Sequence, residues 1–126
     1  MLAILGGTGP EGKGLAVRLA MAGEATIIGS RDAARGVAAA AELATNAHGA
    51  NIAGSDNARA AEQSEIVFLA FPYEGQRAVL EQLATTLDGK IVVSVISPMA
   101  FERGKGAKAI EVAAGSAAQE AQEILP

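Results

Sequence analysis

Gly7, Gly9 and Gly12 stand at the spacing G-x-G-x-x-G, inside the run Gly6-Gly7-Thr8-Gly9-Pro10-Glu11-Gly12. The chemistry open to such a run is the binding of phosphate by backbone. Side chains are missing where the chain must come close to an anion, and the free N–H groups of a starting helix can point at it. Each glycine then has its own task. Gly7 permits the tight turn from strand to helix, Gly9 lets the backbone approach a pyrophosphate, and Gly12 lets the helix pack on the strand. Pro10 suits a first helical turn, where no N–H partner is lost. Thr8 can add a hydroxyl to a phosphate oxygen, and Glu11 completes the run of candidate binding residues. A glycine turn that only packs tightly is the plainer alternative. Context favours the binding reading, because the motif follows the apolar residues 2–5 and opens a helix.

A second group of candidates lies where the next apolar run ends, at Ile28-Gly29-Ser30-Arg31. A site for NAD usually places Asp or Glu here, about 20 residues after the glycines, on the ribose hydroxyls. No acid stands at this tip. Ser30 can donate to a phosphate, and Arg31 can offer it a planar fork. Arg35 follows one helical turn later and reaches the same point. Together the three describe a pocket for the 2′-phosphate of NADP, so NADP(H) is the expected ligand. The alternative is a solvated helix face, with the arginines paired to Asp32.

Little else in the chain can do chemistry. Cysteine is absent and the only histidine is His48, which reads as a solvated loop residue. Thiolate nucleophiles, disulfides, Cys-based metal sites and His clusters are therefore excluded. A net charge of −4 with scattered Lys and Arg argues against a nucleic-acid partner. No apolar run approaches the roughly 20 residues that cross a bilayer, and the first residues carry glycines in place of a leader's apolar stretch. No membrane partner is expected, and the expected setting is cytoplasmic.

The elements that must hold these residues alternate between short apolar runs and longer Ala-rich stretches. Strands are predicted at residues 2–5, 25–29, 51–53, 65–71 and 90–96. Helices are predicted at 10–22, 32–47, 57–63, 73–87 and 116–125, the second capped at Ser30, with a Gly- and Lys-rich loop over 97–108. Continuous apolar strands are buried on both faces. Their alternation with helices gives an α/β, doubly wound parallel sheet of the Rossmann type, in strand order 3-2-1-4-5. Ligands in such sheets bind at the carboxyl ends of the strands, where the order reverses between strands 1 and 4. Residues 1–126 read as one NADP-binding domain.

The run from Gly6 to Ala16, then Gly29-Ser30-Arg31, Phe71-Pro72-Tyr73-Glu74 and Val92-Val93-Ser94, resemble the F420-dependent NADP reductases, also called NADPH:F420 oxidoreductases. The likeness runs along the whole chain in order and at matching spacing. It implies an oxidoreductase exchanging hydride between NADP(H) and coenzyme F420, a deazaflavin. By resemblance, Thr8, Ser30, Arg31 and Arg35 hold the 2′-phosphate, Arg35 standing where the family often has Lys. Nicotinamide and deazaflavin stack near Phe71, Pro72 and Tyr73, with Ser97, Pro98 and Met99 beside them. Members of the family continue into a C-terminal helical part that helps form the deazaflavin pocket and the dimer. The resemblance thus implies an intact NADP half, expects F420 reduction to need that further part, and leaves a homodimer open.

Hydride transfer between two cofactors needs no protein nucleophile, so no catalytic residue is named. Two other readings stand beside this one: an NADP-binding module without turnover, and an NADP-linked reductase of an imine or ferric substrate. Pro72 can equally end a strand, Tyr73 can shelter a ring or only pack, and Lys105 and Lys108 can attract an acidic ligand or form a solvated loop.

Overall fold

Leu2–Leu5 (β1) is buried at all four positions and Thr26–Ser30 (β2) at all five. Strands of this kind need cover on both faces. The computed structural model describes residues 1–47 and 49–126, so the loop reading of His48 lies outside the described residues. Helices α1 (Pro10–Met21) and α2 (Ala33–Asn46) follow the first two strands. β3 (Ile52–Asp56), α3 (Asn57–Glu62), β4 (Ile66–Leu69), a 3-10 turn at Tyr73–Gly75, α4 (Gln76–Leu87) and β5 (Ile91–Ser94) complete the alternation. Then come a hairpin of β6 (Met99–Glu102) and β7 (Gly106–Ala109), and α5 (Ala117–Ile124).

Five parallel strands pair in the order β3-β2-β1-β4-β5. This is the doubly wound sheet that the alternation requires, and its order reverses between β1 and β4. Successive residues of the central strands serve opposite faces. Ala3, Leu5 and Ile27 pack with Ala60, Leu80, Leu83 and Ala121, which come from α3, α4 and α5. Ile4 and Ile28 pack with Ala16, Ala39 and Leu43, from α1 and α2. Each large side chain so buried contributes about 1.5–3 kcal/mol.

Four details depart from the sequence reading. β3 continues through Gly54-Ser55-Asp56, because all five of its residues pair with β2. The cap of α2 is Asp32, whose Oδ1 accepts the Ala34 N–H at 2.9 Å, while Ser30 stays in the ladder opposite Asp56. The helix expected from Tyr73 begins as a 3-10 turn and becomes α-helical only at Gln76. Residues 97–108 are not a plain loop, since Met99–Glu102 pairs antiparallel with Gly106–Ala109.

α2 lies unusually close to β3. A Cβ at Gly54 would collide with the Gly36 carbonyl oxygen, and one at Gly36 with the Ser55 carbonyl oxygen. This contact seats the first turn of α2, and with it Arg35, at the tip of β2. Overpacking of such a contact costs about 1–3 kcal/mol, so Gly54→Ala should lower the thermal midpoint. Gly14 in α1 meets only the end of Arg18 at 3.8 Å. Gly14→Ala should raise the midpoint by the helix preference of roughly 0.5–1 kcal/mol. Calorimetric melting of both variants checks the pair.

Candidate functional site

The turn out of β1 is made by Gly6, which has φ +68°. The sequence reading gave this task to Gly7, and the structure moves it one residue earlier. Gly6 takes the left-handed conformation, and a Cβ there would also meet Phe71 Cβ at 2.6 Å. Gly7 is needed for a different reason. Its Cβ would press on the Ile4 carbonyl at 2.8 Å, and its N–H donates to the Gly29 carbonyl at 3.0 Å. Gly12 packs against Gly7 Cα with no room for a side chain.

Gly9 behaves differently from all of these. It is the N-cap of α1, extended at φ −80° and ψ 171°, and no side chain caps the helix. A Cβ at Gly9 would meet nothing within 4 Å. The loop therefore presents uncapped N–H groups and a bare Cα to open space, at the positive end of a helix of 12 residues.

Asn57 fixes this loop from the side. Its Oδ1 accepts the Gly6 N–H at 3.1 Å, and it lies where a Cβ of Gly29 would stand, at 2.7 Å. Asn57 opens α3, which Asp56 caps by accepting the Arg59 N–H at 2.9 Å. Sequence reasoning passed over Asn57. The available signal was a polar residue at the tip of the strand beside β2.

At the tip of β2, Ser30 is buried and its Oγ accepts the Asp32 N–H at 3.4 Å. Arg31 and Arg35 are exposed. Among the described residues neither makes an ion pair. Asp32, the partner in the alternative reading, is occupied as the helix cap.

One cavity of about 960 Å³ joins these parts. Thr8, Gly9, Pro10 and Glu11 line its floor, and Ser30, Arg31 and Arg35 one end. Phe71, Pro72, Tyr73 and Ser97 line the other end. Gly7, Gly12 and Pro98 are not in the lining. The two glycines act behind the surface, and the Pro98 carbonyl accepts the Ile110 N–H at 2.9 Å at the base of the hairpin. The lining also includes Met99, which the resemblance placed beside the rings, and Gly6, Asn57, Val79, Ile96 and Phe101, which the sequence reading did not assign to the site. The alternation of Met99 and Phe101 about the glycines at 104 and 106 was the hairpin's signal. A smaller cavity of about 260 Å³ adjoins at Ser30, Arg31, Asn57 and Val79, and continues along Ala58, Ala78 and Gln82.

Pro72 lies three residues beyond the end of β4, directly before the 3-10 turn, and lines the cavity. Lys105 pairs with Glu102 at 3.2 Å within the hairpin. Tyr73 is half-buried and donates its hydroxyl to Glu120 Oε1 at 3.2 Å.

The fold and the glycine loop define the Rossmann class of dinucleotide-binding architecture. The family model for NADP oxidoreductase, coenzyme F420-dependent, matches residues 1–98, and the chain belongs to that family. It is 39% identical over 127 residues to an F420-dependent NADP reductase of Methanothermobacter marburgensis, covering 98% of this chain and 57% of the relative. It is 40% identical over 129 residues to one of Methanocaldococcus jannaschii, with the same shares. The chain thus spans 57% of the length of these relatives. A crystal structure from Arthrobacter sp. FB24, assigned as an F420-dependent NADP reductase, superposes with a TM-score of 0.81 at 26% identity, covering 99% of this chain and 58% of that one. Lactate dehydrogenase from Eimeria maxima, solved with NADH and oxamate, shares the fold alone. Its TM-score is 0.64 at 11% identity, over 78% of this chain and 36% of that one.

The Tyr73 phenol is held above its ordinary value, first by partial burial and then by the charge and hydrogen bond of Glu120, with Arg77 opposing. A free phenol titrates at about 10. A higher folded value means that the folded chain keeps its proton longer. Stability is then intact below about 10 and falls as pH rises through the folded value. Thermal unfolding against pH should show a smaller alkaline loss in Tyr73→Phe than in the native chain.

Proposed function

We propose that this chain is the NADP(H)-holding part of an oxidoreductase that exchanges hydride with coenzyme F420. The observation that carries the reading is the pair of arginines at the tip of β2 that make no ion pair among the described residues, in one cavity with the open glycine loop. The residues fit the ligand in three respects. Gly9 leaves space where a pyrophosphate would rest, and the uncapped start of α1 supplies N–H donors for it. Ser30, Arg31 and Arg35 offer donors for a 2′-phosphate, and the two nearby carboxylates, Asp32 and Asp56, each accept a backbone N–H as a helix cap. The adjoining cavity along Ala58, Ala78 and Gln82 gives a flat base a place beside that phosphate.

Three curated relatives are named F420-dependent NADP reductases, which supports F420 as the partner in hydride exchange. The bound nicotinamide and deazaflavin would supply the redox chemistry. The protein's own residues bind, orient and exclude water. Phe71, Ile96, Met99 and Phe101 give the far end an apolar lining in which two flat rings can be held face to face.

Arg31→Ala should weaken NADPH binding by roughly 1.5–3 kcal/mol, the scale of a lost bidentate contact to phosphate. NADH affinity should stay nearly constant, and calorimetric titration of both ligands makes the comparison. An equal loss for the two would remove Arg31 from the 2′-phosphate site.

Gly9→Val should abolish binding of either dinucleotide while melting near the native temperature. The added branches enter space that the protein itself leaves open. Unchanged affinity would make the glycine loop a packing device only.

A further inference from the structure

α5 lies beyond the segment matched by the family model, and none of its residues lines the cavity. Its Glu120 nevertheless reaches the cavity wall from behind. Tyr73 donates its hydroxyl to Glu120 Oε1 at 3.2 Å, and Gln76 Nε2 donates to Oε2 at 2.7 Å. Arg77 Nη2 stands 3.5 Å from Oε1. Three side chains of one short segment, residues 73–77, therefore converge on one carboxylate that is 17% exposed.

Gln76 marks how firmly this link is built. It is fully buried, and its Nε2 also donates to the Ala117 carbonyl at 3.0 Å. Its Oε1 has no partner among the described residues. Turning the amide over would set its oxygen against two acceptors, so the bonds to α5 fix its orientation. A buried carbonyl left without a partner is costly. The arrangement keeps it in order to bind α5 to the start of α4.

The sheet order says which part of a ligand this link concerns. With a 2′-phosphate at β2 and a pyrophosphate at the loop after β1, the remaining half of a dinucleotide extends over β4 and β5. Tyr73 stands there, at the cavity's far end. We propose that Glu120 is a positioning residue for the nicotinamide half of the ligand, acting through Tyr73 and Gln76 to hold the wall at residues 71–75. This rests on the NADP(H) reading of the cavity. Glu120 touches no ligand. It sets where the phenol ring sits and keeps its hydroxyl turned away from the cavity.

The test compares two ligands on the native chain, Glu120→Gln and Glu120→Ala. NADPH carries both halves, and 2′,5′-ADP carries only the phosphate-bearing adenosine half. Glu120→Ala should weaken NADPH by about fivefold to tenfold, the scale of one charge-assisted hydrogen bond. Its affinity for 2′,5′-ADP should stay within about twofold of native on the same scale. Glu120→Gln keeps an acceptor oxygen for Tyr73 and should fall between. Tyr73 is the only tyrosine and tryptophan is absent, so tyrosinate absorbance reads this phenol alone. Loss of the carboxylate should lower its titration midpoint.

Unchanged NADPH affinity, or equal weakening of both ligands, would overturn the proposal and leave α5 a packing element. An unmoved tyrosinate midpoint in Glu120→Ala would overturn the link itself. If the native chain bound neither ligand, the cofactor reading would fall, whatever the tyrosine titration showed. Should Glu120→Ala not fold, Glu120→Gln and Tyr73→Phe carry the same two-ligand comparison. Both should then weaken NADPH selectively, and their combination should weaken it no further than the stronger of the two.

Discussion

The molecule depends on a place where four chain segments meet with no room for a Cβ. Gly6 faces Phe71, Gly12 faces Gly7, and Gly29 faces Asn57. These contacts bring the exit of β1, the start of α1 and the tips of β2 and β4 into one knot at the point where the strand order reverses. Close packing makes such a knot intolerant of even one added methyl group. It also explains why the loop holds its shape although few side chains bind it. Its backbone is fixed by neighbours from three strands, and by Asn57 on the Gly6 N–H. Gly9 is the exception that gives the knot a use. The protein does not fill the space before it.

The sheet was legible in the sequence because its central strands are unbroken apolar runs, and burial on both faces leaves few other arrangements. The misreadings have physical causes. Gly54, Ser55 and Asp56 have poor strand propensity alone, but a full ladder with β2 overrides it. The hairpin at 99–109 was hidden by its Gly and Lys content, although Gly104 and Gly106 take positive φ in its turn. Ser30 and Asp32 are both good caps, and only pairing with Asp56 decides between them. At the site, the residues that face the cavity were mostly legible. Asn57 and Glu120 were not, because each acts across a separation in sequence that only folding closes.

The two ends of the cavity differ in kind. At β2 the walls are polar and carry Arg31 and Arg35, and the chain's overall negative charge makes two arginines without an ion pair among the described residues the more notable. At β4 and β5 they are apolar and broad, with Phe71, Ile96, Met99 and Phe101. A ligand carrying phosphate at one end and a flat ring at the other has only one favourable orientation in such a space. Charge selects the first end at a distance, while the second is satisfied only by contact and by removal of water. Recognition and placement are thereby given to different parts of one cleft.

A hydride site asks of its protein little besides geometry, since the reacting carbons must be held about 3–3.5 Å apart. The accuracy then has to come from residues that never touch the reaction. Phe71 illustrates how this is done. Its Cβ takes the space above Gly6, and its segment lines the far end of the cavity. The glycine loop and the wall at the cavity's far end therefore rest on each other, through the contact of Gly6 with Phe71. Glu120 holds the same wall from the opposite side, through Tyr73 and Gln76. A wall fixed between the loop in front and α5 behind has little freedom left, so the shape of the cavity's far end is set by packing from both sides.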